Sequence, residues 1–187
     1  VAMLARLAKK APSLLDRLST NPLLKEDVMA ERCMNASIEY LDRKGRAAEA
    51  ADRGSASVLK SWALDMESEV RRKGAIPATI AVLDGVVQIG VTEAQLAQLS
   101  QGKGMVKISA RDFGPAIALK RSGGTTVAGT LLAAHAAGIR VFATGGIGGV
   151  HRQPPFDISA DLPQLANTPL VVVCAGAKAI LDLPATL

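Results

Sequence analysis

Side chains able to do chemistry collect in one glycine-rich stretch of this sequence, residues 143–178. Two short apolar runs, residues 139–143 at the start of this stretch and residues 170–174 near its end, each lead into a glycine loop. Such runs predict buried parallel strands, and ligands in open α/β sheets bind at the carboxyl ends of strands. The polar residues that follow the two runs are Thr144, His151, Arg152, Asp157, Ser159, Asp161 and Lys178. This set suits a phosphorylated substrate, or a reaction that is assisted by a metal ion or catalysed by an amine. We expect the functional site here.

Lys178 is the candidate nucleophile. It comes two residues after Gly176, where we expect a helix to begin, and its neighbours Ala177 and Ala179 are apolar. Apolar surroundings and the positive end of a helix both favour the uncharged amine, which forms Schiff bases with carbonyl substrates. The alternative interpretation is a surface lysine whose stem packs on the protein while the ammonium group reaches water.

Two carboxylates and one histidine accompany this lysine. Asp157 and Asp161 lie four residues apart with Ser159 between them, a pattern able to bind a divalent ion or to transfer protons. The alternative for Asp161 is a helix cap, because Leu-Pro follows it. His151 directly follows a glycine-rich loop and is a candidate site residue. By contrast, we interpret His135, inside an apolar helix pattern, as structural.

Two glycine loops could hold an anion. SGGTT (residues 122–126) precedes a predicted helix, so backbone N–H groups, hydroxyls and the positive helix end all favour negative charge there. It lacks the lysine of a nucleotide-binding P-loop, and a plain helix cap explains it equally well. TGGIGG (residues 144–149) lets the backbone approach a ligand closely, with tight strand-to-helix packing as the alternative.

Composition narrows the class of protein. The chain has 187 residues, 49% of them hydrophobic and 3% aromatic, with a net charge of +5 at pH 7. It has no aromatic-interleaved basic stripe and no apolar run long enough for a membrane span, so we expect neither nucleic acid nor membrane as a partner. The two cysteines, Cys33 and Cys174, show no metal or disulfide spacing. We expect a cytoplasmic protein; residues 1–20 are interpreted as a surface helix, with an organelle transit segment as the alternative.

The pattern of apolar residues predicts an α/β fold in two parts. Residues 1–73 form a helical leader of uncertain role, and residues 74–187 form an α/β domain. The domain is expected to be a three-layer α/β/α sandwich with a mainly parallel sheet. The predicted elements are helices at 3–19, 23–50 and 56–73, strands at 78–83 and 86–91 joined by an Asp84-Gly85 hairpin turn, a helix at 93–100, a strand at 105–109, a helix at 111–119, and a long apolar helix from SGGTT to Gly138.

Several segments together resemble the pseudouridine-5'-phosphate glycosidase family. They are GAIPATIAVLDG (74–85), KISARDF (107–113), SGGTT, AAHAAGIRVFATGGIGGVHR (133–152), FDISADL (156–162) and TPLVVVCAGAKAILDL (168–183). The resemblance implies a homotrimer with a manganese ion. It also implies reversible cleavage of pseudouridine 5'-phosphate to uracil and ribose 5-phosphate through a lysine imine.

The same resemblance implies roles for individual residues. Lys178 would form the imine, and Asp157 would be the metal ligand. The substrate would contact Lys107, Val127, Thr144, His151, Ser159, Ala160 and Asp161. Asp161 is also our candidate for proton transfer.

Two departures from the family pattern leave other functions open. The family's early ALEST…HGMPYP stretch, which carries a proton-donating glutamate, has no counterpart in residues 1–73, and the sequence ends where the family's second half would begin. We therefore expect a partial copy of the family protein. The alternatives are a non-catalytic fragment that binds a sugar phosphate or assembles with other subunits, and a Schiff-base aldolase acting on another sugar phosphate.

Overall fold

The computed structural model describes residues 56–153 and 157–187 of the chain. The helices predicted at 3–19 and 23–50, the 1–20 segment and Cys33 lie outside these residues. The described helices are α1 (Ala56–Arg72), α2 (Glu93–Ser100), α3 (Phe113–Ala118), α4 (Val127–Ala136), α5 (Asp161–Asn167) and α6 (Leu183–Thr186). The strands are β1 (Ile80–Leu83), β2 (Val86–Ile89), β3 (Val106–Ile108), β4 (Gly123–Thr125), β5 (Val141–Ala143) and β6 (Val171–Val173). The predicted α/β class is confirmed.

A four-stranded mixed sheet in the order β2-β1-β4-β3 forms the centre of the described fold. Strands β1 and β2 form the predicted hairpin, with Leu83 opposite Val86. The turn residues Asp84 and Gly85 have φ angles of 49° and 78°, as the tight hairpin turn requires at both central positions. Strand β1 pairs antiparallel with both of its neighbours, β2 and β4, whereas β3 and β4 are parallel.

A second sheet consists of β5 and β6, which pair in parallel from Val141 opposite Val171 to Ala143 opposite Val173. The parallel arrangement expected from the sequence thus holds for β3–β4 and β5–β6. The β1–β2 pair is antiparallel because the Asp84-Gly85 turn is a hairpin rather than a crossover, and the β1–β4 pair is antiparallel as well. The carboxyl ends of β5 and β6 lead into the loops that carry Thr144 and Lys178, and β4 leads into the helix that begins at Val127.

Helices cover both faces of the four-stranded sheet. Ile80 and Val82 point to one face, where they pack with residues of α4 and α3 respectively. Ala81 points to the other face and packs with residues of α2 and α1. This alternation along one strand produces the three layers predicted from the sequence.

Local sequence explains how two of the helices begin. The Thr92 side chain accepts from the Gln95 backbone N–H and the Gln95 side chain accepts from the Thr92 N–H, so a capping box begins α2. Thr126 is the N-cap of α4. In the part of the chain that the structure describes, no helix combines the length and the apolar character needed to cross a membrane.

Candidate functional site

The loops that follow β5 and β6 run side by side. The Ala175 N–H donates to the Gly145 carbonyl (2.6 Å), and the Ile147 N–H donates to the Gly176 carbonyl (3.0 Å). The Lys178 N–H in turn donates to the Ile147 carbonyl (3.2 Å). Parallel pairing therefore continues beyond the strands and fixes the backbone of Lys178 against the TGGIGG loop.

The prediction that a helix begins near Lys178 is wrong. A turn follows Lys178 instead, closed by the Leu181 N–H donating to the Lys178 carbonyl (3.0 Å). The helix α6 begins at Leu183, because Asp182 accepts from the Ala185 N–H and a proline occupies the first turn. Lys178 consequently has no helix end beside it, and its surface is exposed rather than enclosed by apolar side chains.

The stem of Lys178 nevertheless lies on the glycine loop. A Cβ atom placed on Gly146 would stand 3.1 Å from the Lys178 Cγ and 4.0 Å from its Cε, whereas one placed on Gly145 would meet nothing within 4 Å. The loop therefore has an open side at these two glycines, and the lysine side chain runs along that side. An amine in this position is accessible to a ligand.

Asp161 joins the two glycine loops. It is the first residue of α5 and is 7% exposed. One carboxylate oxygen accepts from the Ala128 N–H in the first turn of α4 (2.9 Å), and the other accepts from the Gly148 N–H (2.8 Å). Hydrogen bonds from backbone donors to a buried carboxylate are strong, so Asp161 fixes the TGGIGG loop relative to the SGGTT segment.

The first turn of α4 is capped by the protein's own side chains. Besides the Asp161 contact to Ala128, the Thr126 hydroxyl accepts from the Gly129 N–H (3.2 Å). The positive end of this helix therefore already has a negative partner. Of the two interpretations of SGGTT, the structure shows the helix cap, and the anion that its N–H groups attract is an internal carboxylate.

Gly148 and Gly149 permit close packing within the protein. A Cβ on Gly148 would overlap the Ser159 hydroxyl and come 2.8 Å from an Asp161 oxygen. A Cβ on Gly149 would lie 2.5 Å from the Thr186 hydroxyl oxygen. The second half of the TGGIGG loop thus shows the packing alternative, whereas Gly145 and Gly146 leave space for a ligand.

Asp157 and His151 lie together on the surface. The His151 N–H donates to the Asp157 carbonyl (2.9 Å), and both residues are exposed. Neighbouring residues extend this pairing, since Val150 and Ile158 form an antiparallel bridge. Within residues 56–153 and 157–187, no three His, Cys, Asp or Glu side chains group closely enough to hold a metal ion. Asp157 therefore supplies a single carboxylate rather than a complete ligand set.

The remaining predicted contacts lie at both parallel strand pairs. Lys107 is exposed on β3 opposite Gly124, and Val127 is the half-buried first residue of α4. Thr144 follows β5, where its N–H donates to the Val173 carbonyl (2.9 Å). Lys107 and Val127 thus belong to the SGGTT side, Thr144 and Lys178 belong to the TGGIGG side, and Asp161 connects the two sides.

Two polar contacts of this region were not predicted. The Thr186 hydroxyl accepts from the Val150 N–H (3.0 Å), and the Thr126 hydroxyl donates to the buried Ser109 hydroxyl (3.2 Å). No local sequence pattern indicates either contact, because each joins residues that are distant along the chain.

These features define an α/β protein with an accessible lysine beside a glycine loop, at the carboxyl ends of parallel strands. Residues 58–187 match the family described as Indigoidine synthase A like protein. The chain therefore belongs to this family.

Curated relatives confirm the resemblance found in the sequence. The chain is 57% identical over 127 residues to a protein of Solibacter usitatus named pseudouridine-5'-phosphate glycosidase, which covers 67% of this chain and 42% of the relative. It is 59% identical over 124 residues to the protein of the same name from Dinoroseobacter shibae, covering 65% of this chain and 41% of the relative. The chain thus spans about two fifths of the length of these relatives.

Solved structures show the same fold. The prealnumycin C-glycosynthase AlnA, crystallised in complex with ribulose 5-phosphate, is 45% identical with a TM-score of 0.64, covering 71% of this chain and 46% of AlnA. An indigoidine synthase A-like protein from Thermotoga maritima is 34% identical with a TM-score of 0.59, covering 64% of this chain and 41% of that protein.

Proposed function

We propose that this chain carries the imine-forming lysine of a pseudouridine-5'-phosphate glycosidase, an enzyme that reversibly splits pseudouridine 5'-phosphate into uracil and ribose 5-phosphate. The observation that carries this proposal is the position of Lys178, whose stem lies on Gly146 at the open side of the TGGIGG loop. The names of the relatives and the ribulose 5-phosphate bound by AlnA support a sugar phosphate as the ligand.

An amine suits a substrate with a carbon–carbon glycosidic bond. The two-carboxylate route of ordinary glycosidases needs a leaving group that departs as an oxygen atom. In the proposed reaction the Lys178 nitrogen bonds to C1′ of the ribose while the bond from C1′ to the ring oxygen breaks and that oxygen takes a proton. Protonation of the uracil carbon then lets the C1′–uracil bond break, as the nitrogen lone pair forms the imine. Water hydrolyses the imine and releases ribose 5-phosphate.

The other site residues hold the substrate in this proposal. Lys107 and the open glycines would bind the phosphorylated sugar, with further contacts from Val127, Thr144, His151, Ser159, Ala160 and Asp161. Binding the remote phosphate helps to orient the reacting carbon. Asp161 stays our candidate for proton transfer, although both of its oxygens already accept backbone N–H groups. Those contacts support a second task, which is to keep the two glycine loops in register.

We propose manganese only as an ion that Asp157 would bind. The described residues do not form a metal site alone, since no second and third ligand accompany that exposed carboxylate. Manganese readily accepts oxygen ligands, so water or substrate oxygens would complete its coordination. No step above runs through the metal. The homotrimer and the cytoplasmic location likewise stay predictions.

Borohydride trapping tests the proposed function. The full 187-residue chain is incubated with ribose 5-phosphate and sodium borohydride, which reduces an imine to a stable amine, and the adduct is located by peptide mass spectrometry. We expect the adduct on Lys178 and none in Lys178→Arg. The matched control is Lys103→Arg, which changes an exposed lysine in the loop before β3 and should leave the adduct unchanged.

A second assay separates the enzyme from a binding fragment. The chain covers about two fifths of its relatives, so the alternative is a protein that binds the sugar phosphate without completing the reaction. Uracil and ribose 5-phosphate are supplied together, and pseudouridine 5'-phosphate is measured by chromatography. Product formation supports the glycosidase, and an adduct without product supports the binding fragment. Absence of both the adduct and any ribose 5-phosphate binding contradicts the two proposals.

A further inference from the structure

The side chain of Arg152 contacts the turn that follows Lys178. Its Nε donates to the Leu181 carbonyl (2.8 Å), and its Nη2 donates to the Ala179 carbonyl (3.2 Å). The same turn is closed by the hydrogen bond from the Leu181 N–H to the Lys178 carbonyl. One guanidinium therefore binds two of the three carbonyl groups that come directly after the lysine.

Hydrogen bonds, more than apolar packing, hold the segment around Lys178. The Asp182 N–H donates to the Val150 carbonyl (2.8 Å), and the Thr186 hydroxyl accepts from the Val150 N–H. Leu181 is 2% exposed and is therefore buried. The three residues before it are exposed: Lys178, Ala179 and Ile180. A surface turn with this little apolar burial opens easily unless polar contacts close it.

We propose that Arg152 is a positioning residue for Lys178: it keeps the 178–181 turn closed, so that the lysine stem stays on Gly146 and the amine stays at the open side of the TGGIGG loop. This inference rests on the proposed function of Lys178. The planar guanidinium presents several donors in a fixed geometry and can bind two carbonyls at once, which neither lysine nor glutamine can copy in full. A displacement of about 1 Å in a reacting group lowers rates by up to about 100-fold.

The experiment compares Arg152→Gln and Arg152→Lys in the full chain by borohydride trapping with ribose 5-phosphate. We expect the trapping rate at saturating ribose 5-phosphate to fall about tenfold or more in Arg152→Gln, with a smaller loss in Arg152→Lys. The concentration for half-saturation should change by less than about twofold, because Arg152 is not placed on the substrate. The matched control, Arg71→Gln, removes an exposed arginine that pairs with Glu67 on α1, and it should trap at the wild-type rate.

Hydrogen exchange separates failure of this inference from failure of the proposed function. The Leu181 amide should exchange faster in Arg152→Gln than in the wild type, since its turn loses two hydrogen bonds. If the wild type forms no adduct on Lys178, the proposed function fails, while faster exchange still supports the Arg152 contact. Unchanged exchange at Leu181, or trapping at the wild-type rate in Arg152→Gln, overturns the inference. Should Arg152→Gln not fold, the same two measurements on Arg152→Lys decide.

Discussion

Residues 80–136 and residues 141–187 are held together by different forces. The first region contains most of the buried apolar side chains, including Ile108 and Leu131, which have no measurable exposure. In the described part of the second region, the buried apolar side chains are Val173 and Leu181. There the chain is held by backbone pairing of the loops, by the Asp161 carboxylate and by glycines that allow close contact.

This difference bears on function because the proposed site lies mostly in the second region. Apolar packing tolerates many residue combinations as long as volume and pattern are kept. Hydrogen bonds between loops depend on specific donors and acceptors, and a buried group left without its partner costs about 1–3 kcal/mol. The first region should therefore control whether the chain folds, and the second should control where Lys178 lies.

The largest expected effect belongs to the first region, at Gly123. An added Cβ would overlap the carbonyl oxygen of Val106 and come 2.8 Å from its carbonyl carbon, so backbone in the parallel β3–β4 pair would have to move. We expect Gly123→Ala to lower the free energy of unfolding by about 3 kcal/mol or more, measured by urea denaturation. The adjacent Gly124→Ala is the control, since its Cβ would meet nothing within 4 Å. Equal stability of the two variants would contradict this account.

Gly148→Ala is the corresponding change in the second region, with a smaller expected loss. Its Cβ would meet the side chains of Ser159 and Asp161 rather than backbone, and side chains can rotate away. We expect a loss of about 1–3 kcal/mol together with loss of borohydride trapping, because the Asp161 contact to the loop is disturbed. The control is Gly114→Ala in α3, outside the proposed site, where an added Cβ would meet nothing within 4 Å; it should keep both properties. Trapping by Gly148→Ala at the wild-type rate would show that the loop geometry does not set the position of Lys178.

The success of the sequence-based predictions also differs between the first and the second region. In the first region, the β-branched run before Asp84-Gly85 and the capping pattern at Thr92 are local signals, and the hairpin and α2 formed where they predicted. In the second region, the two parallel strands were also predicted, whereas the pairing of the two glycine loops was not. The contacts of Asp161 and Arg152 were not predicted either, because their partners are backbone atoms at least 13 residues away along the chain.

The helix predicted after Gly176 shows why local patterns failed near the site. An apolar stretch after a strand and a glycine is typical of a helix start, but hydrogen bonds from residues 147–150 hold residues 178–182 in an extended turn instead. Long-range pairing thus outweighed local propensity. Lys178 lies beside the glycine loop although the helix predicted at its position is absent.

Asp161→Asn tests the connection between the two regions and should have a moderate effect. One amide oxygen can replace one carboxylate oxygen, but the NH2 group then faces the N–H of either Ala128 or Gly148. We expect a loss of about 1–3 kcal/mol, seen as a lower urea midpoint, and weaker protection of the Gly148 amide in hydrogen exchange. Asp182→Asn is the matched control, because Asp182 caps the short helix α6 through Ala185 alone. If both variants lose equal stability, Asp161 is an ordinary cap.

Gly146→Ala should have the smallest effect on stability and a distinct effect on chemistry. Its Cβ would lie 3.1 Å from the Lys178 Cγ, a contact that a flexible side chain relieves by moving, so the free energy of unfolding should change by no more than about 0.5 kcal/mol. The displaced lysine should trap ribose 5-phosphate several-fold more slowly, whereas Gly114→Ala, whose Cβ would meet nothing within 4 Å, should trap it at the wild-type rate. A slower rate without lost stability means that the second region places the amine independently of the folding core. Equal trapping by the two alanine variants would instead mean that the path of the lysine over Gly146 is irrelevant to imine formation.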